Sequence, residues 1–344
     1  MEFANPAPKF DVCDPNSILT LNRDMEPCII QSSSPRNDHF KDPYVPLQFV
    51  HFSDVHNQLP LWNRLVEYVN HYRDYISFAL HTGDYCGNYQ GAYTDCYNEG
   101  IPCVHPVLNC TGNHDTYAHN TLLREPYRQA PKEKTHSLLF NRTENWDVTF
   151  MDAPSPMAYY KDIPQSNLRL IVLDLYYDLP EQISWLEGVL KDAREKDLCV
   201  ITASHAATDF VSKPLPVTFQ TKTDYTQVGG KDVLSPFEPA IVHFKEAGGK
   251  HVCHLAGHRH CDYIGYTDAG VLNVIVECAT NWNGWTDGLR AENSRNYDCF
   301  NVMTVDTVMG LIKIVRIGDC MDHYLRPKHV LCYDYVNREV ISNW

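Results

Sequence analysis

The feature that most constrains this chain is a set of short apolar runs that each end in Asp, Asn or His. Each run has the length and apolar content of a buried strand. The polar residues that directly follow these runs are Asp54 and His56, then Asp84, then Asn113, His114 and Asp115, then His205, and finally His258 and His260. In α/β sheets, ligand sites gather at the carboxyl ends of the strands. We therefore predict that these five strand ends meet at one edge and form one cleft.

Apolar periodicity predicts the remaining elements. Helical spacing occurs at 61–72, 181–194 and 239–246, and strands are predicted at 47–53, 76–80, 104–108, 168–175, 198–202, 251–256, 263–266, 271–277, 300–306 and 311–317. Strands alternate with helices early and dominate late, which favours α/β layers with a mixed sheet. We predict an N-terminal arm or small hairpin over 1–45, one large domain over 46–317, and a polar C-terminal tail over 318–344.

Charge and cysteine content narrow the classes of function. Lys and Arg number 29 against 43 Asp and Glu, giving a net charge of −14 that disfavours nucleic acid as a partner. No apolar run approaches the ~20 residues that span a bilayer, so no membrane partner is expected. The 13 cysteines include no Cys-x-x-Cys pair, which favours reduced thiols over a disulfide set. With no signal-peptide pattern at the start, we predict a cytoplasmic location.

Taken in order, the patterns Asp-x-His, Gly-Asp, Gly-Asn-His-Asp, His and Gly-His-x-His resemble the motifs of the calcineurin-like metallophosphoesterases. The alternative is five unrelated polar turns. The resemblance runs from about residue 47 to 316 and implies two facing mixed β-sheets flanked by helices, a four-layer αββα fold. It also implies two metal ions at one edge of the sheets. Asp54, His56 and His260 would hold one ion, Asn113, His205 and His258 the other, and Asp84 would bridge them.

The chemistry of this ligand set is consistent with that implication. Imidazole and carboxylate ligands suit Mn, Fe or Zn better than calcium. Two such ions ~3.5–4 Å apart would clamp a phosphate ester, with a metal-bridged hydroxide as nucleophile. By the same resemblance, His114 assists the leaving group and Asp115 holds the other nitrogen of its imidazole. The alternative for Asp115 is a buried turn in which it caps a helix.

The implied function is therefore metal-dependent hydrolysis of small-molecule phosphate esters, by a phosphodiesterase or a phosphomonoesterase. The alternatives are a non-catalytic metal-binding scaffold of the same fold, or a nuclease, which the acidic composition disfavours. Arg259 would either reach a phosphate oxygen or face solvent. The tyrosines between 85 and 97, with Trp282 and Trp285, would either line a nucleobase pocket or serve loop packing. The sequence leaves the oligomeric state open.

Overall fold

The structure of the protein is a computed structural model. It describes residues 18–21, 44–85, 96–116, 132–133, 146–152, 157–209, 211–215, 235–280, 282–283, 288–292, 294, 297–318 and 330–343. The side chains of residues 20, 21, 97, 98, 282, 283, 288 and 289 lie outside this description.

The described part of the chain is built mainly from strands. They are β1 (Leu47–Phe52), β2 (Ala79–His81), β3 (Val107–Asn109), β4 (Thr149–Phe150), β5 (Tyr159–Ile163), β6 (Leu168–Val172), β7 (Cys199–Ala203), β8 (Lys213–Pro214), β9 (Lys250–Ala256), β10 (Tyr263–Tyr266), β11 (Leu272–Ile275), β12 (Trp282–Asn283), β13 (Gly288–Leu289), β14 (Cys299–Asp306), β15 (Leu311–Gly318), β16 (Val330–Asp334) and β17 (Glu339–Asn343). The helices are α1 (Ile18–Leu21), α2 (Leu59–His71), α3 (Cys96–Glu99), α4 (Asn113–Thr116), α5 (Leu179–Glu195) and α6 (Glu238–Glu246), with a 3-10 turn at Pro164–Ser166. None of these described helices has the length and apolar character needed to cross a membrane.

Two large mixed sheets carry the fold. The seven-stranded sheet has the order β17-β16-β15-β14-β1-β2-β3, and the eight-stranded sheet has the order β4-β5-β6-β7-β9-β11-β10-β8. In the first sheet β1, β2 and β3 are parallel. In the second sheet β6, β7, β9 and β11 are parallel. Parallel neighbours end at the same edge, so the loops that follow them come together there.

The main core combines apolar residues of both sheets, such as Phe49 and Met303 of the first and Leu255 of the second. On the other face of the first sheet, Phe52 and Phe300 contact Trp62 and Tyr68 of α2.

Helices α5 and α6 cover the second sheet, where Leu186 and Phe244 join a cluster with Ile171 and Val200. The layers are therefore helix, sheet, sheet and helix, and the predicted αββα fold is confirmed.

The C-terminal end of the chain differs from the sequence expectation, and the predicted N-terminal arm contains a short helix. Residues 330–343, predicted as part of a polar tail, form β16 and β17, which extend the seven-stranded sheet beyond β15. Within the predicted N-terminal arm or hairpin, the described residues 18–21 form a short helix whose Ile18 is fully buried in the core. Residues 44 and 45 of that arm are also described, and Val45 donates its N–H to the carbonyl of Gln165 at 2.9 Å. The other residues of the arm lie outside the described part of the chain.

Candidate metal centre

The structure brings the loops that carry the predicted metal ligands to one edge of the two sheets. The N–H of Asp54 donates to the carbonyl of Gly83 at 2.9 Å, which joins the loop after β1 to the loop after β2. The N–H of Gly257 donates to the carbonyl of His205 at 3.0 Å, which joins the loops after β9 and β7. These backbone hydrogen bonds fix the relative positions of the loops from which the polar side chains extend.

Two glycines of the motifs allow the loops to approach this closely. A Cβ at Gly112 would overlap the backbone nitrogen and Oδ1 of Asp84. A Cβ at Gly257 would overlap the side chain of Ser53 and approach Oδ2 of Asp54. The glycines of Gly-Asn-His-Asp and Gly-His-x-His thus make room for the neighbouring carboxylates.

Several predicted ligands have an unusual backbone conformation. The residues with φ between 48° and 67° include Asp54, His56, Asp84, His258 and His260. This left-handed region is sparsely populated by residues other than glycine and costs on the order of 1–3 kcal/mol per residue. Strain of this kind clusters at functional sites, where surrounding contacts maintain it.

The first ligand group consists of Asp54, His56, Asp84 and His260, whose donor atoms lie within 4.8 Å of one another. Nε2 of His260 lies 3.2 Å from Oδ1 of Asp54 and 3.1 Å from Nε2 of His56. Two ring nitrogens and a carboxylate oxygen thus face a common point, an arrangement that suits a bound cation.

The second group consists of Asp84, His205 and His258, again within 4.8 Å. Nε2 of His205 lies 3.4 Å from Oδ2 of Asp84 and 3.1 Å from Nδ1 of His258. Oδ1 of Asn113 lies 3.0 Å from the same Nε2 of His205, so the amide belongs to this group too.

Asp84 is the carboxylate that the two groups share. Its side chain is nearly fully buried. Oδ1 accepts a hydrogen bond from the N–H of His114 at 2.8 Å. Oδ2 lies 3.4 Å from Nε2 of His205 and 4.0 Å from Nε2 of His56, one imidazole from each group. A carboxylate placed in this way can bridge two ions.

His114 lies at the more open side of the site. Its side chain is 22% exposed, against 14% for His56 and 13% for His260. Nε2 of His114 is 3.8 Å from Oδ2 of Asp84, and its ring lies edge-on to that of His56. A group bound over the shared carboxylate would therefore meet this imidazole.

Asp115 braces the backbone beneath the site. Its Oδ2 accepts from the N–H of Gly112 at 2.8 Å and from the N–H of Asp84 at 3.0 Å. The first contact is the return hydrogen bond of a capping box, with Gly112 as the N-cap of α4. This hydrogen bond supports the alternative in which Asp115 caps a helix. The predicted contact between Asp115 and the imidazole of His114 stays a prediction.

Charge outweighs burial at both buried carboxylates. Burial raises the pKa of Asp84, but the imidazoles of His205 and His114 hold that pKa well below its usual range. Burial likewise opposes the lowering of the pKa of Asp54, which the charge of His260 brings about. Both carboxylates are therefore ionised and form an anionic centre that attracts cations.

The pKa values of His205 and His258 shift in opposite directions. Burial lowers the pKa of His205, yet the carboxylate of Asp84 raises it overall to about 9. Burial and the neighbouring His205 lower the pKa of His258 to about 4. Metal ligands must be deprotonated, so a cation bound here would displace a proton from His205.

The donor set fits borderline transition ions. Carboxylate oxygens, imidazole nitrogens and an amide oxygen converge, and such mixed ligands suit Mn, Fe or Zn. A third cluster, Asp262, Glu277 and Cys299, also has donor atoms close enough for a metal. There, however, Arg316 pairs with Asp262 and Arg290 pairs with Glu277, so the acidic charge is already balanced.

Other sequence predictions have mixed outcomes. Arg259 is only 5% exposed, so the solvent-facing alternative is wrong, and contact with a phosphate oxygen stays a prediction. Tyr85 packs edge-on against Trp62 in the core. The side chains of the later tyrosines of that segment, and those of Trp282 and Trp285, lie outside the described residues.

Cys278 is a neighbour of the site that the sequence pattern did not predict. The side chain of Cys278 hydrogen-bonds with the imidazole of His260. Cys278 directly follows the predicted strand 271–277, so the rule that located the other strand ends also applies to it. Cysteine, however, is not one of the residue types, Asp, Asn and His, that define the predicted ligands.

Comparison with known families agrees with this geometry. A family model described as calcineurin-like phosphoesterase matches residues 47–262, more than half of the chain. No curated protein sequence matches the chain significantly.

The solved structures to which this chain is similar have low sequence identity to it. A dimetal phosphatase from Danio rerio is 13% identical, with 84% of this chain and 99% of that chain covered and a TM-score of 0.49. The anchor in the inner membrane complex of Plasmodium is 10% identical, covering 87% and 88%, with a TM-score of 0.41. A predicted phosphoesterase from Streptococcus pneumoniae is 11% identical, covering 84% and 97%, with a TM-score of 0.33.

Proposed function

This chain belongs to the calcineurin-like phosphoesterase family and is a metal-dependent phosphoesterase, and from this premise we propose that it hydrolyses small phosphate esters at a dinuclear metal centre. The observation that carries the proposal is the position of Asp84, whose carboxylate belongs to both ligand groups. A single ion would need only one of those groups. Both are complete in this chain, and their shared carboxylate is buried between them.

In this proposal Asp54, His56 and His260 hold the first ion, Asn113, His205 and His258 hold the second, and Asp84 bridges them. Two divalent ions held there would polarise the phosphate ester and supply a nucleophilic oxygen from water at neutral pH. The protein contributes the fixed geometry, because backbone hydrogen bonds and close glycine contacts set the position of each ligand loop.

His114 is the proposed leaving-group residue. Its imidazole is partly exposed, and Nε2 lies close to the shared carboxylate, so it can reach a substrate bound across the site. Donating a hydrogen bond or a proton from this ring to the departing oxygen would lower the barrier for poor leaving groups.

Two alternatives are less well supported. A non-catalytic scaffold needs the ligands but has no need of a partly exposed imidazole beside the shared carboxylate. A nuclease would have to attract a polyanion despite a net charge of −14. The cytoplasmic location also remains a proposal, supported by the absence of a Cys-x-x-Cys pair among the 13 cysteines of the sequence.

The test is a screen of metal against substrate. Metal-free protein is loaded with Mn²⁺, Fe²⁺ or Zn²⁺ and assayed on bis(nitrophenyl) phosphate, nitrophenyl phosphate, cyclic nucleotides and single-stranded DNA. We expect metal-dependent turnover of at least one small ester, abolished in Asp84→Asn. Metal binding without turnover of any ester would favour the scaffold, and cleavage of DNA alone would favour the nuclease.

A further inference from the structure

The thiol of Cys278 lies against the imidazole of His260, one of the proposed ligands of the first ion. The two side chains are hydrogen-bonded. Nε2 of His260 is directed toward Asp54 and His56, at 3.2 and 3.1 Å. We therefore infer that the thiol contacts Nδ1, on the side of the ring away from the proposed ion.

Two further donors reach the same sulfur. Nη2 of Arg290 lies 3.8 Å from Sγ of Cys278, and Oγ1 of Thr280 lies 3.6 Å from it. Arg290 also donates to the carbonyls of Cys278 and Thr280, at 3.0 and 2.9 Å, and pairs with Glu277. With donors on several sides, the sulfur is fixed in place and acts as a hydrogen-bond acceptor.

The backbone of Cys278 is tied to the other side of the same ion site. Cys278 forms a parallel β-bridge with Ser53, the residue before Asp54. The N–H of Ala279 donates to the carbonyl of Ser53 at 2.8 Å. Since Cys278 is fully buried, its position relative to Asp54 and His260 is set by the fold.

We propose that Cys278 is a positioning residue for the first ion: its Sγ accepts a hydrogen bond from Nδ1–H of His260 and so keeps the lone pair of Nε2 directed at the metal. Partners of this kind usually are carboxylates or carbonyls, and they fix both the tautomer and the ring orientation of a ligand. Here a thiol held by Arg290 takes that place. The inference rests on the ligand set of the proposed function.

Three variants separate positioning from packing. Cys278→Val replaces the sulfur by two methyl groups and has no acceptor, whereas Cys278→Ser keeps an acceptor. Cys253→Val makes the same change at a buried cysteine of β9, within the core. Thermal unfolding of the metal-free proteins shows whether each variant folds.

Zn²⁺ affinity is then measured by calorimetry in two backgrounds. His258→Ala leaves the first ion site as the intact one, and His56→Ala leaves the second. We expect Cys278→Val to weaken Zn²⁺ binding by ~10–100-fold in the first background and by less than about twofold in the second. Cys278→Ser should restore most of the affinity, and Cys253→Val should change neither.

Unchanged affinity of Cys278→Val in the His258→Ala background would overturn the inference. So would equal losses in both backgrounds together with a lower unfolding temperature, because that result describes a packing residue. A serine variant as weak as the valine variant would also count against the acceptor role. If the wild-type chain bound no Zn²⁺, the proposed function would fail too, whereas normal wild-type binding with an unaffected valine variant rejects this inference alone.

Discussion

His114 holds Asp84 through its backbone and faces it through its side chain. The N–H of His114 donates to Oδ1 of Asp84 at 2.8 Å, while Nε2 of its imidazole lies 3.8 Å from Oδ2. Because the main-chain contact does not depend on the residue type, the support of the shared carboxylate and the proposed leaving-group role can be separated by substitution.

Replacing His114 by Ala should therefore keep both ions and impair catalysis. The backbone N–H that anchors Asp84 is retained, so metal content by elemental analysis should not change. General-acid assistance typically contributes ~10²–10⁴-fold, and it matters most for poor leaving groups. The loss should be larger on an alkyl or nucleoside ester than on the corresponding nitrophenyl ester.

Two results would contradict this division of roles. Equal losses on both esters, with metals retained, would mean that His114 positions the phosphate instead. Loss of metal in His114→Ala would make the imidazole a ligand or a structural support.

The protein should hold close to two transition ions per chain. Two ligand groups share Asp84, and its bridging role requires both ions. Elemental analysis after dialysis against Mn²⁺, Fe²⁺ or Zn²⁺ measures the content. Less than one ion per chain under every condition would end the dinuclear interpretation.

Asp84→Asn should weaken both ions, because it removes the charge of the one carboxylate common to the two groups. Activity should fall by more than the ~10–100-fold typical of losing a residue behind a ligand. His56→Ala and His258→Ala are the matched controls, and each should mainly release one ion. An Asp84→Asn protein with two tightly held ions and full activity would show that another group bridges them.

The site was largely predictable from sequence because its signals are local. Each ligand follows an apolar strand, and parallel strands deliver their ends to one edge. Asp54, Asp84 and His258 could be located in this way without knowledge of the sheet order. What Gly112 and Gly257 contribute could not be seen, since it depends on distances between loops far apart in the chain.

The C-terminal strands were missed for a physical reason. The turn between β16 and β17 has no Asn-Gly or Gly signal. It is instead held by Asp334, whose Oδ1 accepts from the N–H groups of Val336 and Asn337 at 2.9 and 2.7 Å. Arg338 takes the left-handed position with φ 61°, where glycine is the usual marker.

Gly112→Ala should damage the site, whereas Gly188→Ala should stabilise the protein. A Cβ at Gly112 would overlap Asp84, and overpacking of this kind typically costs ~1–3 kcal/mol. A Cβ at Gly188, in the middle of α5, would meet nothing within 4 Å and should gain about 0.5–1 kcal/mol. Urea unfolding of the metal-free proteins measures both changes. Wild-type metal content and stability in Gly112→Ala would contradict the close approach of the two loops.

Asp174 gives the metal-free protein a distinct pH dependence. This fully buried carboxylate accepts from the N–H groups of Tyr176 and Tyr177, but burial dominates and raises its pKa from 3.8 to about 6. The folded state therefore binds this proton more tightly than the unfolded state does. The resulting stability is full below about pH 4 and is lost as the pH rises through 6.

One pKa unit corresponds to about 1.4 kcal/mol, so this stabilisation of the folded state amounts to about 3 kcal/mol in total. About half of it should be lost between pH 5 and pH 8. Asp174→Asn cannot ionise, so it should gain stability relative to the wild type by that amount over the same interval. Urea unfolding in the presence of a chelator, at pH 5 and pH 8, gives the difference between the two proteins and cancels the titration of the histidines. A difference that does not change with pH, or that grows as the pH falls, would show that Asp174 ionises at least as easily in the folded chain as in the unfolded one.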